Sequence, residues 1–141
     1  MRIVLDTNVF IAALLKSGLA REIIEIAKSR EILTLVTSED ILAELRRKLL
    51  SKFDRSESDV DLFLEKIRGI SEIVEIREKV WLITRDPDDN KILECAVSGG
   101  ANLIVSADQD LIVLKRFRGI GIVHPKTLGW VLPEYFKKKK S

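Results

Sequence analysis

What most constrains the fold of this chain is an alternation: short apolar runs rich in β-branched residues recur between longer stretches of helical period. Arg2 to Leu5 is such a run, and it stops abruptly at Asp6-Thr7-Asn8, the pattern of a buried strand feeding a turn. A helix is expected from about Val9 to Leu15. Gly18 breaks it, and Ala20 to Arg30 resumes the helical pattern with Ile23, Ile24 and Ala27 on one face, leading to the strand-like Leu33 to Val36. Thr37 or Ser38 can cap the next helix, which carries Ile41, Leu42, Leu45 and Leu49 and runs to about Leu50. Ser56 to Gly69 reads as another amphipathic helix, followed by a short strand over Ile73 to Ile76.

The second half repeats the theme. Asp86 suits an N-cap, Pro87 the first helical position, and Ile92, Leu93, Ala96 and Val97 a buried face that ends at Gly99-Gly100. Asn102 to Ser106 is a very apolar strand, again stopping at acids, Asp108-Gln109-Asp110. A short helical piece from Leu111 to Leu114 and a last strand over Ile120 to Val123 follow. Strands joined through helices need crossover connections. The expected architecture is therefore α/β, a mainly parallel central sheet covered by helices on both faces.

With 141 residues the chain is long enough for one sizeable core and short for two, so one domain over residues 1–136 with a basic tail at 137–141 is expected. Charged residues break every apolar stretch before the roughly 18 residues that a spanning helix needs, and no export signal is visible. Cys95 is the single cysteine, which excludes an internal disulfide and a cysteine zinc site and suits a reducing cytoplasm. The formal charge of +2 is too near balance to argue for nucleic acid by itself. The run Lys137 to Lys140 is basic enough to meet phosphates, although a solvated tail explains it as well.

Chemistry is expected where the strands end. In open α/β sheets ligands bind beyond the carboxyl ends of the strands, near a reversal of strand order. Asp6 follows the first strand directly and Asp108 lies just past Leu103-Ile104-Val105, so adjacent strands would bring these carboxylates together. Asp89, in the first turn of its helix, and Glu44, on the helix after Ser38, can reach the same edge. Clustered carboxylates repel and raise each other's pKa, and a hard divalent cation such as magnesium or manganese resolves the conflict. Each acid also has a plainer reading. Asp89 can serve the helix N-terminus together with Asp86, Glu44 can form an exposed pair with Lys48 one turn on, and Asp110 can cap its short helix. Asp6 is hardest to explain that way, because an acid ending a buried strand is costly unless paired, solvated or metal-bound.

Four segments in order, Val4-Leu5-Asp6-Thr7-Asn8, Thr37-Ser38 with Ile41-Leu42-Ala43-Glu44-Leu45, Arg85 to Leu93, and Ser106-Ala107-Asp108-Gln109-Asp110-Leu111, resemble the PIN-domain family and, within it, the small toxin components of toxin–antitoxin systems. The resemblance spans nearly the whole chain. It implies a three-layer α/β/α fold with Asp6, Glu44, Asp89 and Asp108 as catalytic metal ligands, Asp110 as a further acid, and Asn8 and Ser38 as polar supports. It also implies magnesium- or manganese-dependent cleavage of single-stranded or structured RNA, an antitoxin protein as partner, and pairing as a homodimer. The helices around Leu42 and Phe63 can supply such a surface, and a core assignment explains them equally well. Arg85, Lys91, Lys115 and Arg116 stand near enough to the motifs to steer phosphates, or are ordinary surface charges.

Rival readings are a catalytically silent RNA- or protein-binding scaffold of the same fold, a phosphatase of the haloacid dehalogenase type and a phospho-accepting receiver domain. The phosphatase would need an acid where Asn8 stands and would leave Glu44 without a task. The receiver would need a central Asp and a following Lys at spacings not found here. His124 beside Pro125 lacks the partners of a catalytic triad, and Cys95 sits on an apolar helical stretch, so both are assigned to structure. Trp81 and Trp130 are too isolated for a stacking platform and are assigned to a core or a dimer interface.

Overall fold

The computed structural model describes residues 1–83 and 87–131; Arg85, Asp86, the lysine run and the domain limit at residue 136 lie outside the described residues. The elements follow in the order β1 (Arg2–Leu5), α1 (Thr7–Leu15), α2 (Leu19–Ala27), β2 (Thr34–Thr37), α3 (Glu39–Ser51), α4 (Glu57–Ile70) and β3 (Ser71–Ile73). Then come α5 (Asp89–Ser98), β4 (Leu103–Val105), α6 (Gln109–Ile112), β5 (Arg116–Phe117), β6 (Ile120–Val123) and α7 (Pro125–Val131).

The strands form one six-stranded sheet in the order β3-β2-β1-β4-β6-β5. All pairs are parallel except the hairpin of β5 and β6. Successive side chains of a strand point to opposite faces, so the burial of Ile3, Val4 and Leu5 in a row means that β1 is covered on both sides. Helices flank the sheet accordingly, and the expected mainly parallel α/β architecture is what the chain adopts. α5 packs on β1, β2 and β4, while α1 meets α2 and α3. Among the described residues no helix is long and apolar enough to cross a membrane.

Local chemistry explains the element ends. The Ser38 hydroxyl accepts a hydrogen bond from Ile41 N and Ser56 does the same for Asp59 N, capping α3 and α4. α5 stops where Gly100 takes φ 61°, a left-handed conformation that glycine adopts without strain. Gly99 has a separate task, because a Cβ there would lie 2.4 Å from Val36 Cγ1; its bareness lets α5 press onto β2.

Several expectations are corrected. The third strand occupies Ser71–Ile73 rather than Ile73–Ile76, and beyond it only Val74 N continues the pairing, to Thr37 O. α5 begins at Asp89, with Pro87 in the preceding turn. The hairpin strand β5 and helix α7 are additions, the latter capped where His124 Nδ1 accepts from Lys126 N. Trp81 and Trp130 are not core residues, being 81% and 76% exposed, whereas Leu42 is fully buried. Cys95 is buried, with its thiol pushed up to about 12 by burial against a smaller opposing effect of the Ser38 hydroxyl. Such a thiol is inert.

Candidate metal centre at the carboxyl edge of the sheet

The chain reverses its strand order at β1. The path runs outward through β2 and β3, then returns to place β4 on the other side of β1, with Leu5 paired to Val105. This is the crevice where open α/β sheets bind their ligands. Asp6 leaves β1 there with its own N–H bonded to Val105 O, and its side chain caps nothing, although it stands at the N-cap of α1. Instead the carboxylate accepts from Ser106 Oγ at 2.8 Å and, at 3.4 Å, from Thr7 Oγ1. Asp6 is 4% exposed, and burial raises its pKa. The Ser106 bond and the charge of Lys48 oppose that rise, while the charge of Asp108 adds to it.

Asp108, just past β4, receives the hydrogen bond of Asp110 N on its own Oδ1 and so caps α6. The cap is thus Asp108, not Asp110; Asp110 sits in the first turn. Asp89, 5% exposed, opens α5 opposite them. Its N-cap position is held by Asp88 without a side-chain capping bond. Among the described residues, Asp89, Asp108 and Asp110 are the acids whose carboxylate oxygens all come within 4.8 Å of one another. Three hard oxygen donors at that spacing fit a divalent cation such as magnesium or manganese.

Glu44, on α3, lies near enough to Asp6 to feel its charge. The expected i,i+4 contact with Lys48 is present at 3.1 Å, yet it is not a solvent-exposed pair: the Glu44 side chain is 6% exposed and that of Lys48 22%. Burial raises the Glu44 pKa, Lys48 opposes this, and the charges of Asp88 and Asp6 reinforce it. Lys48 also donates to Thr7 Oγ1 at 2.9 Å. Ser38 is buried beneath this edge at the start of α3, whereas Asn8 is exposed. Lys91 pairs with Asp88 at 3.1 Å rather than projecting freely, and Lys115 and Arg116 are exposed.

Sequence reasoning passed over several neighbours of these acids. Ser106, Thr7 and Asp88 were legible only as parts of motifs, and Lys48 only as the exposed partner of Glu44. The signal for Lys48 was its position one turn from Glu44, beside the buried stripe of α3. Two more buried polar residues went unread on α5. Asn90 holds Ile83 at both its N–H (2.8 Å) and its carbonyl (2.7 Å), and Glu94 accepts from Val80 N at 3.0 Å. Together they pin the segment carrying Trp81 against the helix that bears Asp89.

Fold and acid-lined crevice together define the class of the molecule. Residues 2–110 match the PIN domain family, and the chain belongs to that family. It is 31% identical over 134 residues to an uncharacterized protein of Methanocaldococcus jannaschii, across 89% of this chain and 84% of that one. A solved structure of similar fold is that of VapBC2 from Rickettsia felis bound to a DNA fragment from their promoter. The TM-score is 0.63 at 19% identity, covering 86% of this chain and 97% of that one.

Proposed function

We propose that this PIN domain is a metal-dependent ribonuclease, the toxin component of a toxin–antitoxin pair. The observation that carries the proposal is the meeting of Asp89, Asp108 and Asp110 at the strand-order reversal, beside the buried Asp6. In this reading Asp6, Glu44, Asp89 and Asp108 form the magnesium or manganese site, and Asp110, Asn8 and Ser38 support it. A divalent ion held by these carboxylates would supply Lewis-acid chemistry, a more acidic bound water and positive charge for the phosphoryl oxygens. The protein's own contribution is positional. Ser106 fixes the Asp6 carboxylate, the α6 cap fixes Asp108, and the first turn of α5 sets Asp89 facing both.

Single-stranded or structured RNA is the proposed substrate, and a cognate antitoxin and a second copy of the chain are the proposed partners, in a cytoplasmic setting. The likeness to VapBC2 supports the antitoxin assignment through fold. Residues 1–136 are taken as one domain with a basic tail.

Cleavage of a mixed single-stranded RNA by wild type and by Asp6→Asn, with magnesium, manganese or chelator, tests the reading. Metal-dependent cutting that falls at least about 100-fold in the folded variant is expected, from the loss of a ligand that orients the ion. Cutting that survives the substitution or the chelator would place the activity elsewhere.

A further inference from the structure

Lys48 engages one part of the acid cluster, Glu44 by direct contact and Asp6 by its charge. Asp89, Asp108 and Asp110 bring three carboxylate oxygens within 4.8 Å of one another. The Lys48 ammonium stands 3.1 Å from Glu44 Oε1 and 2.9 Å from Thr7 Oγ1, and its charge acts on Asp6. We propose that Lys48 holds the place of a second cation, so that the centre takes a single divalent ion, at the Asp89–Asp108–Asp110 side. The inference rests on the metal-dependent reading above and changes its ligand set: Asp110 joins Asp89 and Asp108 around the ion, while Glu44 and Asp6 are balanced by Lys48.

Three features support it. Asp6 and Glu44 are both buried, and two carboxylates out of water need a compensating positive charge in the folded protein. Lys48 already supplies one. The pair is also preset by α3, because residues four apart lie on one helix face and the contact needs no movement of the backbone. Finally, two of the three ammonium donors are engaged, by Glu44 and by Thr7, and the Lys48 side chain is mostly buried. A divalent ion coordinated by Glu44 would have to displace this ammonium or sit against it, two positive charges at contact distance in a partly desolvated crevice. The common two-ion clamp places positive charge on both sides of the reacting phosphate. Here a fixed lysine is the second positive element, which makes Lys48 a positioning residue for the acids and for the charge of a bound phosphate.

Titration of the full chain with Mn2+ alone, followed by calorimetry and electron paramagnetic resonance, tests this without any RNA. Wild type is expected to take up one Mn2+ per chain and to show the hyperfine pattern of an isolated ion. Lys48→Met, checked for folding by circular dichroism, is expected to take up two, and Lys48→Arg one. An exchange-coupled Mn2+ pair in wild type would overturn the proposal even if Lys48→Met failed to fold. A single ion in both wild type and Lys48→Met would overturn it as well, leaving the metal-dependent reading intact. No Mn2+ uptake by wild type would remove that underlying reading too.

Discussion

The buried carboxylate of Asp6 is held in a place that favours its protonated form, with burial as the first cause and the charge of Asp108 adding to it. The folded protein therefore binds this proton more tightly than the unfolded chain does. Between the unfolded value, about 4, and the raised folded value, the folded state carries more protons, so stability falls as pH rises through that window. Glu44 contributes with the same sign. In chelator at neutral pH, Asp6→Asn is expected to melt at a higher temperature than wild type. An amide removes the buried charge and can still accept from Ser106 Oγ. The difference should shrink as the pH approaches about 4, where the wild-type group is protonated in both states; an unchanged or lower Tm at neutral pH would contradict this. Asp6 was legible in the sequence because it ends an apolar strand with no capping task. Ser106, 100 positions away, was not legible as its partner, since nothing local links the two.

At the level of elements, α5 has three duties: it presents Asp89, packs on the sheet through Gly99, and pins the preceding segment. Asn90→Ala removes both bonds to Ile83 and leaves buried backbone groups without their partner. A loss of about 1–3 kcal/mol is expected from chemical denaturation, with faster amide hydrogen exchange at Ile83. Unchanged exchange there would show that the segment is held by other contacts. Gly99→Ala drives a methyl into Val36 and is expected to cost roughly 1–3 kcal/mol, read as a lower denaturation midpoint. All helices but α7 and most strands were legible because their apolar periods are undisturbed. The third strand was misplaced because Val74 and Ile76 pack against the core and preserve an apolar signal where the ladder has ended. The β5–β6 hairpin escaped notice because its strand is two residues long. Its turn uses Arg118 at φ 49° and Gly119 at φ 81°, a primed-turn geometry usually announced by Asn-Gly. The exposure of Trp81 could not be read either, since nothing local shows that Val80 and Ile83 turn inward on either side of it.

For the whole molecule, the parallel sheet followed from the alternation of strands and helices, whereas strand order did not, because crossover length leaves the direction of travel open. That order makes the acid crevice a feature of the folded state alone, so the proposed metal binding is linked to folding. Manganese at about 100 times its dissociation constant is expected to stabilise wild type by about 2.7 kcal/mol, seen as a rise in Tm, and to leave Asp108→Asn nearly unmoved. Equal shifts in both proteins would mean that the ion binds elsewhere. The register of β1 against β4, Leu5 beside Val105, has a consequence for synthesis. Strand β1 leaves the ribosome ahead of β4 and must wait while roughly 100 more residues are added at about 5–20 per second before this neighbour exists. A copy released just before β4 is made carries Asp6, Glu44 and Asp89 but neither Asp108 nor Asp110, so an unfinished chain holds three of the five acids that the complete one brings together.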